Sequence, residues 1–366
     1  MDLHLVGGFL GSGKTTAIIE AALLLIKNGQ RVGIITNEQG KHLVDTSFIR
    51  SAGLPALEVT GGCICCHLDD FEDRISEITA KFDPQVLFAE SVGSCTDLVA
   101  TVIKPLSDYQ KTSAHPASLS VFTDSRLLLR YLRGMELPFS EGIIYIFEKQ
   151  IEESSLLIAN KIDLLTSKDA LELMQLAEKR YPDKSIRRQN SLDPTQVAEW
   201  LALIQNDIHF LPDKSLNINY DTYAAGEGQF TWQDLELGLT FPDSNPGKLA
   251  GELISSIVKN LSESEISIAH LKMLVSDGNQ MIKFNLTQMD DYAVKNDSEI
   301  HKLHLLTGKQ ITLLVNAMVE GGTDILENSL DTIISRFCKR NQIAISETAR
   351  FSRVPGYPKP TLRIND

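Results

Sequence analysis

Gly8-Phe9-Leu10-Gly11-Ser12-Gly13-Lys14-Thr15-Thr16 fits G-x-x-x-x-G-K-[ST] throughout. Its chemistry is that of a phosphate cradle. Backbone N–H groups of a glycine-rich turn and a helix start point at anionic oxygens, with no side chain in the way. Gly8, Gly11, Ser12, Gly13, Lys14, Thr15 and Thr16 are the expected nucleotide contacts. Lys14 places a full positive charge on the β- and γ-phosphates, and Thr15 offers a hydroxyl to Mg²⁺. Glu90-Ser91-Val92-Gly93 follows the apolar run Val86-Leu87-Phe88-Ala89. An acid at such a strand end can hold Mg²⁺, usually through water, or orient the attacking water. Thr15 and Glu90 are thus the magnesium pair. Lys14, Glu90 and Glu38 are the catalytic candidates. Asn160-Lys161-Ile162-Asp163 has the form N-K-x-D. The Asp163 carboxylate can accept from the guanine N1–H and 2-amino groups, which adenine lacks. The Lys161 stem can stack on the base, and Asn160 can fix the loop.

A second chemistry is carried by Gly61-Gly62-Cys63-Ile64-Cys65-Cys66-His67. C-x-C-C on a loop that two glycines allow to turn presents Cys63, Cys65 and Cys66 as soft ligands for a transition metal. Three sulfurs leave a tetrahedral ion one ligand short, which suits an exchangeable site. His67 or Glu38 could supply the fourth contact. Redox pairing of Cys63 with Cys65, or burial as small hydrophobes, are the competing readings. The segment Thr36-Asn37-Glu38-Gln39-Gly40 stands where a switch loop belongs. Cys95 reads as a bystander thiol, Cys338 as packing, and His301 with His304 as the polar flank of a helix.

These residues need a scaffold that gathers strand ends. Leu3–Val6, Arg31–Thr36, Ala56–Thr60, Pro84–Ala89, Ser118–Thr123 and Ser155–Ala159 read as strands, with helical patterns between most of them. The expected fold is α/β: a mostly parallel P-loop NTPase sheet with helices on both faces, plus a smaller C-terminal α+β domain. The expected boundaries are 1–205 for the nucleotide domain, 206–228 for a linker, 229–345 for the α+β domain and 346–366 for a Pro-containing tail. In parallel sheets ligands bind beyond the carboxyl ends of the strands, where all the motifs fall.

Composition narrows the rest. With 366 residues and a net charge of −13, the chain lacks the basic surface that nucleic acid or an anionic membrane would want. It has no apolar run long enough to span a bilayer, and the P-loop leaves no room for a secretory leader, so a cytoplasmic location is expected. Five clustered or isolated cysteines, an odd number, argue against a disulfide framework.

The P-loop, G-G-C-I-C-C, E-S-V-G and N-K-I-D occur in the order and spacing of one family. Over roughly residues 2 to 200 the chain resembles the CobW-type metallochaperone GTPases, kin to the urease and hydrogenase nickel-insertion GTPases. That resemblance implies GTP and Mg²⁺ as ligands and a transition metal on Cys63, Cys65 and Cys66, Zn²⁺ first, with Co²⁺ or Ni²⁺ as alternatives. It implies a client metalloprotein or a cofactor-biosynthesis protein as partner, and leaves a homo-oligomer open. There are departures. Lys41 stands where members usually carry an acid and Gln39 where they carry an aromatic, and the histidine-rich tract of some members is absent. The expected function is a slow GTPase, with no arginine finger evident, whose nucleotide state governs metal transfer. The alternative is a redox- or metal-sensing regulatory GTPase without a delivery role, and a third reading is an ATP-dependent kinase or ligase.

Overall fold

A computed structural model of the chain describes residues 1–37, 44–109, 112–206, 210–242, 246–264, 266–290 and 300–366. Its described residues divide into two units, one comprising 1–37, Asp45–Gly226 and Tyr357–Asp366, the other Val44 and Glu227–Gly356.

The first unit is built on seven parallel strands: β1 (Asp2–Gly8), β2 (Val32–Asn37), β3 (Ala56–Val59), β4 (Val86–Glu90), β5 (His115–Asp124), β6 (Leu156–Asn160) and β7 (Ser185–Gln189). Their order is β3-β2-β4-β1-β5-β6-β7. The inner strands read as continuous apolar runs because both faces are covered, and β2, β4 and β6 are buried throughout. The helix Lys14–Lys27 buries Ala17, Ile18, Ala21, Ala22 and Leu25 against Phe88, Phe122 and Trp200 in one core. The register levels the strand ends. Val6 pairs with Glu90, Gly8 with Phe122, Asp124 with Asn160, and Asn37 with Val59. Glu90, Asn160 and the glycine loop therefore leave the sheet side by side although up to 152 positions separate Gly8 from Asn160 in the chain.

The second unit is an antiparallel sheet of β8 (Phe230–Thr240), β9 (Ser267–Ser276), β10 (Met281–Leu286), β11 (Gln310–Glu320) and β12 (Ala344–Arg353), in the order β10-β9-β11-β8-β12. Alternate residues Leu235, Leu237, Leu239, Leu313, Val315 and Ala317 share a core with the helices Pro246–Glu263 and Thr323–Arg340. The opposite parity carries a buried polar chain. Asn316 Nδ2 donates to Asp234 Oδ1 at 2.6 Å, and His270 Nε2 meets Asn316 Oδ1 at 2.8 Å.

Three local expectations change. The stretch 206–228, read as a linker, contains the helix Tyr220–Glu227, because Asn219 Oδ1 caps it by accepting from the N–H groups of Asp221 and Thr222, each at 3.0 Å. His301 and His304 lie on a 3₁₀ turn, His301–Leu305, and not on an amphipathic α-helix. β7 and β12 were not foreseen; both are edge strands, held by one neighbour, so neither needs a strong apolar pattern.

Candidate functional site

The turn after β1 takes the cradle form. Gly8, Gly11 and Gly13 have φ of 122°, 67° and 91°, the region open to glycine. A Cβ on Gly13 would stand 2.4 Å from Asn160 Nδ2. Lys14 Nζ donates to the Gly8 and Phe9 carbonyls at 2.9 and 3.2 Å, so the lysine lies over the loop it would share with phosphate. Thr15 Oγ1 donates to Glu90 Oε1 at 3.0 Å, placing the two expected magnesium residues in direct contact. The buried Ser12 hydroxyl has no protein partner among the described residues.

At the base end, Asn160 works for the loop. Its Nδ2 donates to Ser12 O at 2.7 Å, and its Oδ1 accepts from the Ser191 N–H and hydroxyl at 3.1 and 2.8 Å. Lys161 adopts φ 59° and sends Nζ to Asp124 Oδ2 at 3.0 Å. Burial opposes the charge of Asp124, but Lys161 and Arg126 together hold its carboxyl far below the usual range. Asp163 is exposed in the following 3₁₀ turn. Ser191 and Asp124 escaped sequence reasoning. The signal for Ser191 was its place after β7, itself unrecognised.

The three loop sulfurs, Cys63, Cys65 and Cys66, lie within 4.8 Å of one another, Cys63 and Cys65 buried and Cys66 half-buried. Cys63 and Cys65 Sγ are 2.7 Å apart and Cys65 and Cys66 Sγ 3.8 Å. An ion with four sulfurs at about 2.3 Å has S···S edges of about 3.8 Å, so the cluster is of the right size for one thiophilic cation. Contact with Cys63, then with Cys66 and Cys95, and burial push the Cys65 thiol well up. Cys66 is pushed up to about 11, by Cys63 first and burial after. A cation that takes these groups as thiolates must displace their protons.

Two supports of this loop were invisible in the motif. Asn37, the last residue of β2, donates from Nδ2 to Val59 O at 3.2 Å and Gly62 O at 2.7 Å, and accepts from Ile64 N at 2.9 Å. From the far end of the chain, Thr361 N donates to Cys65 O at 3.2 Å, and Thr361 Oγ1 donates to Cys66 O at 2.9 Å. That tail is anchored by Arg363 Nε to Asp97 Oδ2 at 2.6 Å. Glu38, expected at the catalytic or metal centre, lies outside the described residues. Cys95, expected as a bystander, places Sγ 3.4 Å from Cys65 Sγ.

The profile of the family described as CobW/HypB/UreG, nucleotide-binding domain, matches residues 2–186. The chain is 31% identical over 180 residues to the zinc chaperone CobW of Sinorhizobium sp., covering 44% of this chain and 50% of that protein. It is 26% identical over 191 residues to the zinc chaperone YeiR of Escherichia coli K12, covering 50% and 53%. It thus spans about half the length of these curated relatives. Among solved structures, HypB from Helicobacter pylori in complex with nickel aligns over 58% of this chain and 91% of that one, at 16% identity and a TM-score of 0.41. With its profile matched over residues 2–186, the chain belongs to the CobW/HypB/UreG family.

Proposed function

We propose that this chain binds GTP with Mg²⁺, hydrolyses it slowly, and carries a transition-metal ion on Cys63, Cys65 and Cys66, with the nucleotide state setting the grip on that ion and so its transfer to a client protein. Asn37 carries the coupling. It ends the strand that runs into the switch segment, and among the described residues its side-chain hydrogen bonds go to the end of β3 and to the loop that bears the cysteines. A γ-phosphate effect passed to the end of β2 would therefore act on the residue that shapes the thiol loop.

In the nucleotide site Lys14 shifts from the Gly8 and Phe9 carbonyls to phosphate oxygens, and Ser12 and the glycine N–H groups surround the anion. Thr15 and Glu90 would hold Mg²⁺, which supplies charge neutralisation on the β- and γ-oxygens. Glu90 would also orient the attacking water. Asp163 selects guanine, and Asn160 and Lys161 fix the loop that carries it. Zn²⁺ is the favoured cargo, supported by the sulfur donor set and by relatives that are zinc chaperones. Moving such a site from mostly filled to mostly empty takes about 5.5 kcal/mol of differential affinity.

The test is zinc titration against a chelator, with a non-hydrolysable GTP analogue, with GDP, and with neither. The expected order is tightest with the analogue and weakest with GDP; equal affinities would end the coupling. The 2.7 Å approach of Cys63 and Cys65 favours one second reading, a thiol redox sensor. Disulfide formation in air by a protein without zinc affinity would support that reading instead.

A further inference from the structure

The trio leaves a tetrahedral ion one donor short, and two candidates for the fourth position came from the sequence. His67 points elsewhere. Its ring covers Gly62, where a Cβ would stand 2.3 Å from Nε2, and its Nδ1 faces Asp70 Oδ2 at 3.3 Å with the side chain 39% exposed. Glu38 lies outside the described residues. Among the described residues, one sulfur that touches the trio from outside it is Cys95, buried, with Sγ 3.4 Å from Cys65 Sγ. That separation is close to the edge of about 3.8 Å between two sulfurs on one tetrahedral ion. Of the four sulfurs, only those of Cys63, Cys65 and Cys66 all lie within 4.8 Å of one another, so Cys95 meets one edge of the shell here and must move inward to close it.

Resting on the cargo reading of Cys63, Cys65 and Cys66, we propose that Cys95 is the fourth sulfur ligand, and that the nucleotide decides whether the ion is held by four sulfurs or by three. Cys95 rides on the segment that leaves β4 at Glu90. The start of that segment bonds to the P-loop helix through Thr15, at 3.0 Å. Its Gly93 lies on the P-loop itself, where a Cβ would stand 2.9 Å from Leu10 Cα. Gln150 Nε2 fixes the turn by donating to Gly93 O and Cys95 O, each at 2.9 Å. Beyond Cys95 the segment is pinned at Asp97, which adopts φ 70° and accepts from Arg363 and from the Tyr220 hydroxyl at 2.6 Å. The Cys95 sulfur thus sits between a fixed anchor and a contact with the phosphate loop. A small shift at Leu10 and Gly93 moves this sulfur and leaves the other three, which Asn37 and Thr361 hold from other directions. In the GTP state Cys95 closes the shell. In the GDP state it withdraws, and the ion is left with three thiolates and an open position for a client's ligand. Each thiol that joins the ion gives up its proton to solvent, and no electrons are exchanged.

The experiment uses the full chain, reduced and anaerobic, loaded with Co²⁺ alone as probe. Thiolate-to-cobalt charge-transfer intensity is read with the GTP analogue, with GDP and without nucleotide, for wild type and for Cys95→Ser. Wild type should lose about one quarter of its intensity, one sulfur in four, on going from analogue to GDP. Cys95→Ser should show the lower intensity in every state and bind Co²⁺ at least about tenfold more weakly in the analogue state. Equal intensity in wild type and variant in all states would remove Cys95 from the shell and leave the trio standing. Absence of any thiolate–cobalt band in wild type would instead remove the trio, and this proposal with it. Should Cys95→Ser fail to fold, the wild-type comparison between analogue and GDP decides alone: unchanged intensity overturns the proposal.

Discussion

Asn160 shows how one side chain joins the two ends of a nucleotide site. Its amide donates to Ser12 O in the phosphate loop, and its carbonyl collects both donors of Ser191. Asn160→Ala leaves the buried Ser191 donors and the Ser12 carbonyl without their partner, at about 1–3 kcal/mol for each stranded group. GTP affinity should fall by about two orders of magnitude, measured with a fluorescent guanine nucleotide; wild-type affinity would mean the phosphate loop holds its shape unaided. Glu90 makes the opposite case. In Glu90→Gln the side-chain carbonyl can still accept from Thr15, so nucleotide affinity should stay within about tenfold. Single-turnover hydrolysis should drop about 10²-fold, the usual worth of a positioned general base. An unchanged rate would take Glu90 out of the chemistry. Both residues could be read from the sequence because each stands within a short motif just after an apolar run. Ser191, Asn37 and Cys95 could not. Their partners lie 31, 27 and 30 positions away, and no local spacing encodes a contact across a sheet.

At the scale of elements, the parallel sheet supplies common ends, and the loops supply the rest. The alternation of strands and helices was legible because β2, β4 and β6 are buried on both faces and read as unbroken apolar runs. The edge strands β7, Ser-Ile-Arg-Arg-Gln, and β12, exposed over its first half, were not, since an edge is held by backbone pairing more than by side-chain burial. The attachment of the last residues to the cysteine loop through Thr361 was equally hidden, because a Pro-spaced tail carries no periodicity. The connection between elements that matters most for metal is β2 to the cysteine loop. Asn37→Ala removes two hydrogen bonds from the loop and one from the end of β3, and none from a thiol. Supporting partners of this kind are usually worth 10–100-fold in metal affinity. Zinc affinity should fall by about that factor, with the number of reactive thiols unchanged and GTP affinity within a few-fold. Unaltered zinc affinity would show that the thiol loop is rigid without its clamp.

At the scale of the whole molecule, Glu153 and His4 are buried titrating groups whose effects on stability run against each other. Glu153 is fully enclosed at the end of the helix Glu141–Glu153, where its Oε1 accepts from Val99 N at 2.7 Å. Burial, opposed by that N–H and reinforced by the nearby Asp97 charge, lifts its pKa from 4.5 to about 7; Lys184 is the cation whose field reaches it. The folded chain therefore keeps a proton that the unfolded chain releases. Its contribution to stability is full below pH 4.5 and is lost as pH rises to about 7. His4 in β1 is buried beside Phe88, with Nδ1 2.9 Å from Ser118 Oγ. Burial, against a weaker pull from Asp2, lowers its pKa from 6.5 to about 4. Here the unfolded chain takes up a proton that the folded chain refuses, so the contribution is full above pH 6.5 and is lost as pH falls to about 4. Between pH 4.5 and 6.5 the two slopes nearly cancel, each worth about 1.4 kcal/mol per pH unit at most. Glu153→Gln keeps an acceptor for Val99 N and removes one of them. The variant should gain stability over wild type as pH rises from 5 to 6.5, its denaturation free energy diverging from the wild-type curve by about 1 kcal/mol per pH unit. Chemical denaturation at half-unit pH steps measures the divergence. Parallel curves would mean that Glu153 titrates alike in the folded and unfolded chain, and the enclosure at Val99 would then be open to water.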